Sequence, residues 1–406
     1  MSLIDCKVEL GLSVTGVVTG NFVLDSASLG ILGTSELSGL EWYDVSSFVQ
    51  GVQIRRGRSR QLDYYQGGTA SISFKNADRR FDPLNTSSPY YPAIKPRNLV
   101  RISSRNKYLF TGFVSDWDFE YDIANQDIGT AYCSDAFSIL ANQVLTAFTS
   151  SEELTGTRAD TILNRSEVAY RGGRQISAGL STLGSFAVSA DTNVLNYLRQ
   201  IERSELGSLF IAANGNIVFR ERSEFPGNTI VSFADDGSGI KYQSLDNQFG
   251  DELLFNYVRA QSPAGAEQVA SDSVSINEFQ ISQLVWDNLL NSSTTEVSNI
   301  ANVVLAQYNR WKVRFTGLSV QFVGLSETDQ DLILDLDLAD FIDVKKTFSV
   351  GSPASVTQKS FISGINHDIR PSSHVVTFAI ENRQYTNGLI LGDSSFGLLD
   401  SDVLYF

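Results

Sequence analysis

Few residues in this sequence have the type and spacing that chemistry demands. His367 and His374 are its two histidines, seven apart across a turn containing Pro371, with no HExxH or comparable pairing near them. That pattern indicates neither a zinc site nor a base for a Ser or Cys nucleophile, and ordinary strand or turn positions are expected for both. No GxSxG elbow, P-loop or GxGxxG occurs, and Cys6 and Cys133 have no metal spacing. Asp335, Asp337 and Asp340 in DLILDLDLADFIDV lack the glycine and polar loop of a calcium turn. The alternation of Leu332, Leu334, Leu336 and Leu338 predicts instead a half-buried strand with its carboxylates in water. Asp116 and Asp118 flank Trp117 in VSDWDFEYD, a pair that could act as acid and base beside an aromatic platform. Alternation puts both on one strand face, and nothing else in the chain supports a glycosidase. The expectation is no enzyme, no cofactor and no metal.

Two stretches stand out for other reasons. RRGRSR at 55 to 60 gathers Arg55, Arg56, Arg58 and Arg60, and four of the eight prolines (Pro83, Pro89, Pro92 and Pro96) fall within RRFDPLNTSSPYYPAIKPRNLVRI at 79 to 102. Guanidinium groups match carboxylates with two parallel hydrogen bonds, so Asp63, Asp78 and Asp82 are the expected partners of the arginines. Contact with a phosphate is the other use that such a basic run could have. Proline removes backbone donors and biases its predecessor toward extended backbone, so the second stretch should lie as a stiff strap over other surface. Tyr90 and Tyr91 would cover apolar area there with their hydroxyls in water.

The elements that must position these residues follow from length and pattern. A chain of 406 residues should divide into two or three domains. Its 42% apolar and 19% charged residues belong to a folded protein, and a net charge of −15 argues against a dedicated nucleic-acid binder. The N-terminus has no signal-peptide pattern and no stretch has the ~20 apolar residues of a membrane span, so a cytosolic, soluble product without disulfides is expected. GTASISF, LVRI and YLFTGFVSDWDFEY alternate as strands, giving a first β-barrel-like domain over 1–135. A helix from the cap Ser134, a second in TRADTILNRS, and a third over 191–207 between Asp191 and Gly207 come next. An Asn214-Gly215 hairpin of type I′ completes a small α+β domain over 136–240. Ser293 and Glu296 form a capping box for a helix near 293–311, inside a second β-barrel-like domain over 241–385. The fold class is therefore mainly β with an α+β insertion.

RRGRSRQLD, GGTASISFKNADRRFDP, SSPYYPAIKPR and LFTGFV occur in that order, and together they resemble minor tail proteins of long-tailed bacteriophages. The later block NVLNYLRQIERSELGSLFIAANGNIVFRER, the helix at 293–311 and the GINHDIRP turn extend the resemblance more loosely over the full length. The resemblance implies a virion structural protein similar to baseplate hub proteins: two related β-barrels per subunit, three copies in a ring of pseudo-sixfold symmetry at the tail tip. It implies a homotrimer whose partners are a distal tail protein, the tape-measure protein and a central fibre, with DNA only in transit through the channel. Arg55, Arg56, Arg58, Arg60, Asp78, Arg79, Arg80, Phe81, Asp82, Pro83, Tyr90, Tyr91 and Pro92 are the candidate architectural and interface residues. A hexameric distal-tail ring and a receptor- or sugar-binding tail module using Trp117 and Tyr121 are the alternatives. LDSASLGILGTSEL (24–37) and LGDSSFGLLDSDVL (391–404) align without a gap, and each is expected to form a flap, pairing with neighbours or folding back on its own domain.

Overall fold

The computed structural model describes residues 6–12, 41–123, 127–223 and 231–381. Both flap segments lie outside them. Seven strands make the first β region: β1 Cys6–Leu12, β2 Glu41–Asp44, β3 Val49–Gly57, β4 Gln66–Lys75, β5 Leu99–Ser104, β6 Lys107–Glu120 and β7 Ile128–Ser134. Six more come later in the chain: β8 Val231–Ala234, β9 Ser244–Gln248, β10 Arg314–Gln321, β11 Phe341–Thr347, β12 Ser355–Arg370 and β13 Ser373–Glu381. All thirteen join one sheet, ordered β9-β10-β13-β12-β3-β4-β7-β6-β5-β1-β2, with β11 on β12 and β8 on β11. Every pairing is antiparallel except β8 with β11. The two halves meet where β12 pairs with β3, Gly364 opposite Gly57 through Ile369 opposite Val52. Alternation explains the strands as the sequence predicted, with Ala70, Ile72 and Phe74 of β4 all facing the core.

The middle of the chain carries α1 Phe137–Leu140, α2 Thr155–Asn164 and α3 Val194–Glu205, with strands Ser208–Ile211 and Ile217–Arg220 as a hairpin. Four local details differ from expectation. Ser134 ends β7, and Asp135 instead accepts from the Phe137 N–H at 2.9 Å, leaving only one helical turn. Asn193, not Asp191, caps α3 by accepting from Asn196 N–H. Leu206 takes the left-handed position (φ 56°) expected of Gly207. Leu206 offsets that strain by burial in the core of the following module. Gly207 is needed for space, since a Cβ there would sit 2.4 Å from the Arg220 carbonyl oxygen. In the hairpin turn Gly215 alone has positive φ (87°) while Asn214 bonds its own loop at Asn216 N–H, so the turn is not type I′.

A second, smaller core lies under α5 Thr294–Tyr308, which packs on a three-stranded sheet of Tyr257–Ala260, Gln268–Ser271 and Gln283–Trp286. The α4 helix, Ser273–Phe279, links two of these strands. Ser293 caps α5 as expected, and Val297, Ile300, Ala301, Val304 and Tyr308 are all buried. Glu296 spends its carboxylate on the Thr182 N–H of the insert.

The largest departure is the aspartate-studded stretch. It begins as the helix α6, Glu327–Asp335, and only Phe341–Thr347 is strand. Ser326 accepts from Asp329 N–H and two carboxylates occupy the first turn, a start signal that outweighs leucine alternation. The strap also differs from a plain extended segment. Arg79, Asp82, Asn85, Ser88 and Tyr91 each donate to the carbonyl three residues back, so the chain runs as successive turns. Asparagine, aspartate and serine side chains close several of these turns, which the prolines alone do not reveal.

Candidate functional site

Strand β3 decides the fate of the arginine run. Its inward face reads Val52, Ile54, Arg56, and Arg58 follows just beyond the strand end; Gln53 and Arg55 point outward. Two guanidinium groups therefore enter the interior where alternation would place apolar residues, and both need counter-charge there. Arg56 Nη2 lies 2.8 Å from Asp337 Oδ1, and its Nη1 donates to the Ile211 carbonyl at 3.4 Å. Asp337 also accepts from the Ala213 and Leu338 N–H groups. Arg58 grips Glu381 through Nε and Nη2 at 2.9 and 2.8 Å, and its Nη1 donates to the Asp63 carbonyl oxygen. Burial alone would push the Arg58 guanidinium down, but the charge and hydrogen bonds of Glu381 hold it above its usual range. Arg220 adds a third bond, donating to Asp340 at 3.1 Å. Burial drives the Asp340 carboxyl up against that help. Together these pairs tie β3, the insert and the second β region into one charged joint.

The carboxylates expected beside the run are thus not its partners. Asp63 offers only its backbone oxygen, and Asp78 and Asp82 serve Arg80 and Arg79 within the strap, at 2.5 and 2.7 Å. Burial opposes ionisation of Asp82, yet the Leu84 N–H and Arg79 hold its carboxyl below the usual range. Asp337, Asp340 and Glu381 were missed because sequence separation hid them: Arg56 and Asp337 are 281 positions apart. The signal available was charge at inward positions of a strand.

The strap is anchored by rings. Phe81 is fully buried among Phe48, Phe74, Tyr90 and Trp117, with centroids 4.5 to 6.3 Å away. Arg80 lies 3.6 Å over the Phe48 ring. Tyr90 is buried rather than merely covering, while Tyr91, Pro92 and Pro83 face solvent. Trp117 stacks on Phe81 and Phe119 and donates its indole N–H to the Lys95 carbonyl, so it fastens the strap instead of presenting a sugar platform between Asp116 and Asp118. Tyr121 remains exposed.

Across the seam between the halves, the outward face of β3, β4, β7, β12 and β13 forms a groove of about 680 Å³. Arg55, Thr69, Ser71, Tyr132, Asn366 and Thr377 line it. Its lining residues are mostly uncharged, with Arg55 and Asp368 the formal charges among them. Beneath it, on the core face, His367 Nδ1 and His374 Nε2 stand 3.0 Å apart and buried, strand residues as expected. Burial pushes His374 down to about 4 and His367 well below its ordinary value. Cys6 and Cys133 are both free and buried. Among the described residues no cluster of His, Cys, Asp or Glu is placed to hold a metal, and no helix is long and apolar enough to cross a membrane.

No protein-family model and no curated protein matches the sequence. Solved structures do. The 43 kDa tail protein of prophage MuSo2 from Shewanella oneidensis aligns over 92% of this chain and 98% of its own, with TM-score 0.56 at 11% identity. A tail protein from Neisseria meningitidis aligns over 93% and 97%, with TM-score 0.58 at 9% identity. Prophage tail protein gp18 from Listeria monocytogenes aligns over 93% and 95%, with TM-score 0.52 at 8% identity. Mainly β, with an α+β insertion between two sheet regions, the chain has the fold of these phage tail proteins along nearly its whole length.

Proposed function

We propose that the protein is a structural component of a phage tail tip, a hub whose copies form a ring that closes the tail tube and connects it to a central fibre. The observation that carries this reading is the β3–β12 seam. It fuses two β regions into one continuous sheet with an outward-facing groove, in a fold shared with tail proteins. Two comparable β regions per subunit, divided near residues 135 and 240, allow three copies to offer six similar surfaces to a sixfold tube. Closing that ring ends assembly. The buried arginine joint would keep the two regions in fixed relation, as such an adaptor requires. A distal tail protein, the tape-measure protein and the fibre are the partners on this reading, and DNA only passes through. Arg55, Tyr91 and the exposed strap prolines are then contact surface, and the protein has no catalytic role.

Cryo-electron microscopy of purified particles tests this. Three copies around the tail axis at the tip are expected. Six copies between tube and hub would transfer the protein to the distal ring, and absence from the particles would overturn the proposal.

A further inference from the structure

Between the loop that follows β3, helix α3 and helix α5 lies a cavity of about 50 Å³, and beside it opens a cleft of about 400 Å³. Leu62, Asp63, Arg203 and Trp286 wall both. By the room that one water needs, the cavity takes roughly three or four water-sized groups, and the cleft falls within the range of small-ligand sites. Each holds an amide with one unanswered atom. Gln307 lines the cavity, is only 7% exposed, and its buried Nε2 has no hydrogen-bond partner among the described residues. Gln61 lines the cleft, and its buried Oε1 has none either. A polar group withdrawn from water without a partner is costly, so Nε2 calls for an acceptor and Oε1 for a donor. Neither demand is for a charge, and an anion in the cavity would face the carboxylates of Glu202 and Asp63.

The cavity combines what an acetamido group requires. Leu206 and Val304 give apolar wall for the methyl, Gln307 Nε2 a donor for the carbonyl oxygen, and the buried Glu202 a carboxylate to accept the N–H. Glu202 Oε1 already accepts from the Leu209 N–H at 2.9 Å, but a carboxylate has about four acceptor sites. A ring carrying that group then lies in the cleft, where Gln61 Oε1 accepts from a hydroxyl. Arg203, held over the rings of Tyr64 and Trp286 at 4.2 and 5.3 Å, supplies N–H donors at the border of the two spaces. One neutral ligand with hydroxyl and acetamido groups therefore answers both glutamines.

We propose that this cavity and cleft bind an N-acetylhexosamine, the acetamido group in the cavity and the sugar ring in the cleft. The proposal does not depend on ring formation or on the hub reading. Saturation-transfer difference NMR of the full chain, titrated with N-acetylglucosamine and with N-acetylgalactosamine, tests it. A dissociation constant on the order of millimolar is expected for so small a ligand, with the strongest transfer to the acetyl methyl. Glucose, which offers Gln307 no carbonyl, should bind about tenfold more weakly or not at all. Gln307→Met keeps the shape and removes the amide, and should weaken binding about fivefold, as should Gln61→Met; melting curves establish that each variant is folded. Binding of neither sugar, equal binding of glucose, or transfer confined to ring protons overturns the proposal, and none of these outcomes needs a variant. Unchanged affinity in folded Gln307→Met protein overturns it too. Preference for N-acetylasparagine amide over both sugars overturns it in favour of a protein segment.

Discussion

The strap and the arginine joint fix neighbouring parts of the chain by opposite means. Phe81 and Tyr90 hold the strap by ring packing, which is non-directional and tolerant of shape change. Arg56, Arg58 and Arg220 hold the joint by ion pairs whose geometry admits little substitution. The difference teaches where rigidity is specified: apolar burial stabilises the strap, whereas charge pairing defines one relative arrangement of three regions.

The largest expected effect comes from breaking the joint. Arg58→Met leaves the Glu381 carboxylate buried and alone, and should cost about 3–5 kcal/mol in denaturant unfolding. Adding Glu381→Leu should restore most of that stability while loosening the arrangement of the regions, seen as faster hydrogen exchange along the β3–β12 seam. A double variant no more stable than Arg58→Met would show that the pair itself contributes the stability. The strap gives the counterpart. Phe81→Ala should cost about 3–5 kcal/mol and Phe81→Leu much less, because a second apolar side chain fills most of the space. Equal losses would mean the ring geometry matters as it does for the ions.

Acidification sharpens the contrast between the core's polar groups. The histidine pair has folded values below 6.5, so the stability it contributes is complete above that pH and is lost as pH falls toward about 4. Asp135, raised to about 7 by burial, works in the opposite sense over part of this range, gaining as pH falls. Stability against thermal unfolding should therefore fall between pH 6.5 and 4 by on the order of a few kcal/mol at most, and His367→Gln with His374→Gln should flatten or reverse that slope. The smallest effect is expected at the strap surface: Arg80→Ala removes a partly exposed pair with Asp78 and its contact over Phe48, roughly 1 kcal/mol together.

Legibility in the sequence followed the range of the interactions. Strand alternation and the Ser293 cap depend on near neighbours, and β4, β6 and α5 were readable from them. The sequence also marked Arg56 and Arg58 as architectural, but their partners come from 281 and 323 positions away and no local pattern encodes them. At 326–340 two local signals competed, and the serine cap with its acidic first turn prevailed over alternating leucines. In the strap, prolines advertised stiffness while the side-chain-closed turns that shape it were written in Asn76, Asp82 and Ser88.

The seam has a mechanical consequence. Strands β3 and β12 run antiparallel through six residue pairs in continuous register. A load pulling the two halves apart along the strand direction meets all of those bonds in parallel, as shear, instead of unzipping them one at a time. With Arg58 and Glu381 riveted just past one end, the sheet would yield as a single plate, which suits a part that must bear force without bending.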